Sequence, residues 1–200
     1  MKILKIFEEN PNDRYIDEAV EILRAGGIII YPTDTLYALG CDALNNQAIE
    51  RICKIKGLKS DKTNLSIICK DISQVAEYAR FSNDDFKLMR RNLPGPFTFI
   101  LPALSALPKA FKGRKTVGVR VPNNKITELL VERLGNPILS SSVKCDDEDY
   151  GCEPELIAQR YESGVELIFD AGRSGLEPST VIDCTIDEPE IIRHGKGELS

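Results

Sequence analysis

Histidine is almost missing from this chain. His194 is the only one among 200 residues, and it sits in Arg193-His194-Gly195 near the C-terminus. A nucleophile-base pair built on imidazole is therefore poorly supported, and His194 reads as a surface residue. Six cysteines are present, Cys41, Cys53, Cys69, Cys145, Cys152 and Cys184, but no Cys-x-x-Cys pair. That spacing argues against a structural zinc site. Cys53, Cys69 and Cys184 lie in apolar runs and read as core thiols, and a reducing compartment disfavours a Cys145–Cys152 disulfide. No apolar run is long enough to span a bilayer. The start, Met1 to Glu9, turns acidic too soon for a signal peptide, so a cytoplasmic location without a membrane partner is expected. Neither Gly-x-x-x-x-Gly-Lys-Ser/Thr nor Gly-x-Gly-x-x-Gly occurs, which excludes a standard P-loop and a dinucleotide turn. Gly26-Gly27 precedes a strand and so lies on the wrong side of it for that role.

What is present is globular. Hydrophobic residues make up 42% and charged residues 28% of the chain, enough apolar mass for a full core in one domain over 1–200. A net charge of −5 is no nucleic-acid signature. The distribution is less even. Residues 51 to 70 hold Arg51, Lys54, Lys56, Lys59, Lys62 and Lys70 against Asp61 alone. Lys109, Lys112, Arg114, Lys115 and Arg120 form a second basic stretch, and Asp146-Asp147-Glu148-Asp149 an acidic one. These read as solvated faces or as basic segments converging on an anionic ligand.

Helical and strand signals alternate, without repeats. Ile16, Ala19, Val20 and Leu23 mark an amphipathic helix over 13–25 with a glycine stop. Ile49, Ile52 and Cys53 mark a second, ending near Lys56-Gly57. Strands are expected at 28–30, 65–69, 97–101, 116–121, 137–141, 166–170, 180–184 and 190–193. Further helices are expected at 72–79, 83–92, after the Asn123-Asn124 cap, and near 154–162. Residues 102–115 read as a loop. The class is α/β, with a twisted mixed sheet and flanking helices.

Hydroxyls and cations recur at strand ends. Gly27-Ile28-Ile29-Ile30 runs into Tyr31-Pro32-Thr33-Asp34-Thr35-Leu36-Tyr37-Ala38-Leu39-Gly40, a stiff turn that brings two hydroxyls and a carboxylate to one strand end. Taken alone, it reads equally as an ordinary strand exit with Asx and Ser/Thr turn chemistry. Ser140-Ser141-Ser142 follows Pro137-Ile138-Leu139, Ser179-Thr180 precedes Val181-Ile182-Asp183, and Arg120 and Arg193 end two more strands. Such groups suit phosphate recognition and carboxylate clamping, with rate gained by positioning and charge stabilisation.

On these segments the chain resembles the YrdC family of threonylcarbamoyl-AMP synthases, in its YciO-like branch. The matching motifs are Tyr31 to Gly40, Lys56-Gly57, Pro94 to Leu101, Thr116 to Pro122, Pro137 to Ser142, Asp170-Ala171-Gly172, Ser179 to Thr185, and Ile192 to Gly195. They run in family order over nearly the whole chain. The resemblance implies a single α/β domain with a deep concave cavity. It implies condensation of L-threonine, bicarbonate (as CO2) and ATP into threonylcarbamoyl-adenylate, with release of pyrophosphate, for the t6A modification of tRNA. Mg²⁺ would accompany ATP.

By resemblance, Thr35, Arg120, Ser140 and Ser179 bind threonine, with Arg120 on its carboxylate. Lys56, Thr116, Ser142 and Arg193 bind the nucleotide, and Tyr37 and Thr180 are wall candidates. Lys56 and Arg120 carry the catalytic electrostatics. The chain departs from the family at four places, one of them the acidic stretch 145–153, where the family usually has a short Ser/Gly/Pro loop. Lys-x-Arg-Pro reads Lys56-Gly57-Leu58-Lys59, Ser-Ala-Asn reads Ser142-Val143-Lys144, and the usual histidine after the third strand is replaced near Ile68 or Cys69. Lysines at 59 or 62 cannot reproduce the missing arginine's planar fork. These changes match the YciO-like pattern and point to weak synthase activity. The alternative is an RNA-binding protein, for double-stranded RNA or tRNA, that keeps the fold without the reaction; a reaction on another small acceptor is a third expectation.

Overall fold

The computed structural model describes residues 1–57, 66–108, 115–143 and 152–200. Its strands are β1 (Lys2–Lys5), β2 (Ile29–Tyr31), β3 (Ala38–Asp42), β4 (Ser66–Ile68), β5 (Phe97–Pro102), β6 (Thr116–Arg120), β7 (Ile138–Ser142), β8 (Leu167–Asp170), β9 (Thr180–Asp183) and β10 (Glu190–Arg193). Its helices are α1 (Asp13–Arg24), α2 (Asn46–Ile55), α3 (Ile72–Tyr78), α4 (Asn83–Asn92), α5 (Lys125–Leu134) and α6 (Pro154–Arg160). The expected elements are therefore present. Two strands were not anticipated. β1 is a short edge strand, and β3 begins inside the segment read as a turn and runs two residues past it. Residues 58–65, 109–114 and 144–151 fall outside the description, with Lys59, Lys62, Lys109, Lys112, Arg114, Lys144 and Cys145 among them.

Helix ends follow local chemistry. The Asn124 side chain caps α5 by accepting from the Thr127 N–H, and Gly135 ends it at φ 81°, a conformation that favours glycine. Ser82 and Asp85 form a reciprocal capping box on α4.

The ten strands form one mixed sheet in the order β1-β8-β2-β3-β7-β4-β6-β5-β9-β10. β1, β8 and β2 run parallel to one another, as do the pairs β4–β6 and β5–β9; the other pairs are antiparallel. The two sheet faces are unlike. On one, Leu39, Cys41, Ile67, Phe99, Val117, Val119, Leu139 and Ile182 pack with the apolar stripe of α2 and residues of α3, α4 and α6. On the other, the strand residues that α1 and α5 cover are Leu4, Ile29, Tyr31, Ala38, Ile68, Ile138, Leu167 and Phe169. No residue of β5, β6, β9 or β10 joins that second core.

Alternation fixes what the uncovered part carries. Thr116, Gly118 and Arg120 oppose Val117 and Val119 across β6; Ser140 and Ser142 share a face with Ile138 on β7; Ser66 shares one with Ile68 on β4. Cross-strand register then sets Gly40, Ser140, Ser66 and Gly118 in one row over four adjacent strands. The part of this face that the helices leave uncovered thus carries Ser66, Thr98, Gly118, Arg120 and Ser140, with Ile100 and Val181 beside them.

Candidate functional site

Arg120 is the centre of this face. Its guanidinium is 7% exposed and pairs with Asp34, itself 7% exposed, at 2.7 Å. The same Nη2 donates to Thr35 Oγ1 at 3.1 Å. The backbone N–H of Asn123 donates to the other Asp34 oxygen at 3.0 Å. β6 delivers the arginine, and the stiff exit from β2 delivers its two partners. Arg120 Nε is buried with no hydrogen-bond partner among the described residues. Burial pulls the Arg120 pKa down; Asp34 and Tyr31 oppose this, and the nearby positive charge of Arg193 adds to it. Leaving an N–H of a buried cation unpaired is costly, so its retention marks a position where a ligand oxygen is wanted.

Ser140 sits one strand away. The Tyr31 hydroxyl donates to Ser140 Oγ at 3.0 Å. The ring crosses β3 at Gly40, where a Cβ would stand 2.5 Å from Tyr31 Cε1. Burial drives the Tyr31 pKa far above its ordinary value, so the phenol keeps its proton and acts as donor. Replacing it with phenylalanine should cost about 1 kcal/mol in urea unfolding, the typical net worth of one buried hydrogen bond.

Lys56 closes α2, and its ammonium donates to the Ser142 carbonyl on β7. These two predicted nucleotide contacts are thus neighbours. Arg193 clamps the Ser179 carbonyl with Nε and Nη2 at 3.2 and 2.7 Å. Ser179 Oγ lies 2.7 Å from Thr98 Oγ1 and accepts from Arg193 Nη2 at 3.1 Å.

Other predicted residues stand apart. Thr116 is exposed at the far end of β6 from Arg120. Thr180 belongs to the opposite face: its hydroxyl donates to the Gly197 carbonyl at 2.6 Å and accepts from the Gly195 and Gly197 N–H groups at 3.1 Å each. The Tyr37 hydroxyl is engaged by the turn after β8, donating to Gly172 O at 2.7 Å and accepting from Ala171 N at 2.9 Å. Tyr37 still lines, with Thr33, Asp34, Thr35, Arg173 and Lys196, a cavity of about 570 Å³.

The sequence assigns no individual role to Asp34, Thr33, Tyr31, Thr98 or Ser66. The first three stand inside the segment from Tyr31 to Gly40, whose hydroxyls and carboxylate are named only as a group. Thr98 and Ser66 are the outward positions of alternating strands, and that alternation was the available signal. Among the described residues, no group of three or more His, Cys, Asp or Glu could hold a metal ion. Cys53, Cys69 and Cys184 are buried, as expected of core thiols, and Cys41 and Cys152 are buried as well. Burial pushes the Cys184 thiol up to about 12, leaving it protonated at neutral pH. Of the basic stretch at 51–70, Arg51 is occupied, paired with Glu166 at 2.6 Å and bound to the Gly26 and Gly164 carbonyls. No helix among the described residues is long and apolar enough to cross a membrane.

These observations define an α/β protein with one face of a mixed sheet left open, lined by alcohol side chains and two guanidinium groups. The model of the Sua5/YciO/YrdC family, described as telomere recombination, matches residues 21–195. The chain belongs to that family. YciO of Escherichia coli (strain K12) is 43% identical over 197 residues, spanning 97% of this chain and 95% of YciO. The E. coli YciO crystal structure superposes with a TM-score of 0.91 over 99% of this chain and 98% of that one. Threonylcarbamoyl-AMP synthase of Bacillus subtilis (strain 168) is 33% identical over 194 residues, 94% of this chain and 55% of the synthase. Pyrococcus abyssi Sua5, solved in complex with L-threonine, gives a TM-score of 0.88 at 30% identity, covering 98% of this chain and 58% of Sua5. The chain thus spans a little over half the length of these two relatives, and nearly all of YciO.

Proposed function

We propose that this protein is a threonylcarbamoyl-AMP synthase-like enzyme, condensing L-threonine, bicarbonate as CO2, and ATP into threonylcarbamoyl-adenylate and pyrophosphate for tRNA t6A modification. The observation that carries the reading is the buried Arg120 guanidinium, held by Asp34 and Thr35 with its Nε–H unpartnered. The family's synthases and the threonine-bound Sua5 support it.

In this reading Arg120 takes the threonine carboxylate, with Thr35, Ser140 and Ser179 around the rest of the amino acid. The amine adds to CO2, losing a proton and giving a carbamate. A carbamate oxygen then forms a bond to the α-phosphorus while the bond from that phosphorus to the oxygen bridging to the β-phosphate breaks. Pyrophosphate leaves with the electron pair. Lys56, Ser142, Thr116 and Arg193 hold the nucleotide, and the lysine balances charge on the phosphates. Mg²⁺ would accompany ATP as part of the substrate and would neutralise phosphate charge. The chain's own work is alignment of two reactants and stabilisation of phosphate charge.

The test is direct. Purified protein with ATP, bicarbonate and Mg²⁺ should release pyrophosphate when L-threonine is added and not in the absence of an amino acid, at a rate below that of a Lys-x-Arg synthase. Folded protein without threonine-dependent release refutes the proposal.

A further inference from the structure

The hydroxyl protons of residues 33–35 can be assigned one by one. Thr33 Oγ1 lies 2.7 Å from the Leu36 carbonyl, which only accepts, so the single Thr33 proton is committed there. The same oxygen accepts from the Thr35 N–H at 3.1 Å and stands 3.0 Å from Thr35 Oγ1. With its own proton engaged, Thr33 can only accept from the Thr35 hydroxyl. The Thr35 proton therefore points inward, and one Thr35 lone pair takes the Arg120 Nη2–H at 3.1 Å. One lone pair remains. Thr35 is an acceptor and cannot donate to a carboxylate or a phosphate.

Ser140 has the opposite polarity. It accepts from Tyr31 at 3.0 Å and keeps its own proton to give. Two hydroxyls that look alike in the sequence thus present opposite faces to a ligand.

We propose that Thr33 is a positioning residue that holds the Thr35 hydroxyl as an acceptor, so that Thr35 receives an N–H of the substrate's α-amino group while Arg120 Nε–H takes its carboxylate. This rests on the synthase reading above and deepens it. Carboxylate and amine hang from one carbon, and the groups proposed to receive them are joined by a single hydrogen bond. The side-chain hydroxyl of threonine is the competing donor, and the experiment separates the two.

Pyrophosphate release is measured for wild type, Thr33→Val and Thr33→Ser with L-threonine and with L-2-aminobutyrate, which lacks the hydroxyl. 3-Hydroxybutyrate, which lacks the amine, serves as a competitive inhibitor. Thr33→Val should raise KM about tenfold for both amino acids, the upper range for one neutral hydrogen bond. Its kcat and its KM for ATP should stay within about twofold, and inhibition by 3-hydroxybutyrate should not change. Thr33→Ser, which keeps the acceptor, should behave as wild type. A penalty on L-threonine alone, or an equal loss with ATP, overturns the assignment. Should Thr33→Val fail to fold, Thr33→Ala is read in the same way. Folded wild type that releases no pyrophosphate in response to threonine brings down the synthase reading and this inference with it. An active wild type with an unmoved Thr33→Val KM brings down the inference alone.

Discussion

Arg120→Ala should lower kcat/KM for L-threonine about a hundredfold, and should weaken the fold at the same time. Hydrogen bonds to a charged partner are worth about 1.5–3 kcal/mol each, and an arginine–carboxylate grip commonly uses two. The structural cost has a separate origin. Arg120 and Asp34 form an ion pair with both side chains 7% exposed. Removing the cation strands a buried carboxylate whose remaining donor among the described residues is the Asn123 N–H. Breaking one partner of such a pair typically costs about 3–5 kcal/mol. Arg120→Lys restores charge without the planar fork, so it should recover much of the stability and little of the threonine affinity. Steady-state pyrophosphate release at varied threonine, with urea unfolding of the same samples, reads both effects. A folded alanine variant with unchanged KM for threonine removes Arg120 from the proposed role.

Gly40→Val should destabilise by about 3 kcal/mol or more, the upper range for overpacking a close-packed interior. An added Cβ at this position would lie 2.5 Å from Tyr31 Cε1 and 2.8 Å from Ile138 Cγ2, and neither side chain has room to retreat. The ring must tilt, and its hydroxyl then leaves Ser140. Activity should fall beyond what lost folded protein explains, because Ser140 would lose the partner that orients it. Gly118→Ala is the control on the same row. Its Cβ would meet Ser66 Cβ at 3.1 Å and Thr98 Cγ2 at 3.2 Å, a tightness that small shifts relieve. Urea midpoints that rank Gly118→Ala below Gly40→Val in stability would contradict this reading of the packing.

Much of the fold was legible because its elements carry strong local signals. α1 shows Ile16, Ala19, Val20 and Leu23 on one stripe, and all four are buried. α5 has its asparagine cap and glycine stop where the sequence places them. β3 escaped because Ala38-Leu39-Gly40-Cys41-Asp42 contains no β-branched residue; it is a strand through its pairing with β2 and β7, which no local window contains. β1 escaped because it is a short, largely exposed edge strand, Lys2-Ile3-Leu4-Lys5, held by register with β8 far along the chain. The site was legible as a set of residue types and opaque as geometry. Hydroxyls and arginines at strand ends could be named, but nothing local to Arg120 says that Asp34 pairs with it. Nor does any window around Thr180 say that Gly195 and Gly197 occupy its hydroxyl. Those facts live in contacts between distant segments.

The open sheet face has a further consequence. Its polar groups ride on strands whose opposite side is the core, two residues per repeat. Deleting a single residue within β6 would present Val119 or Val117 to the ligand and push Arg120 into oil. Length changes there should therefore abolish folding and chemistry together. In this architecture the active surface cannot drift in sequence independently of the scaffold; the two are opposite sides of the same ribbon.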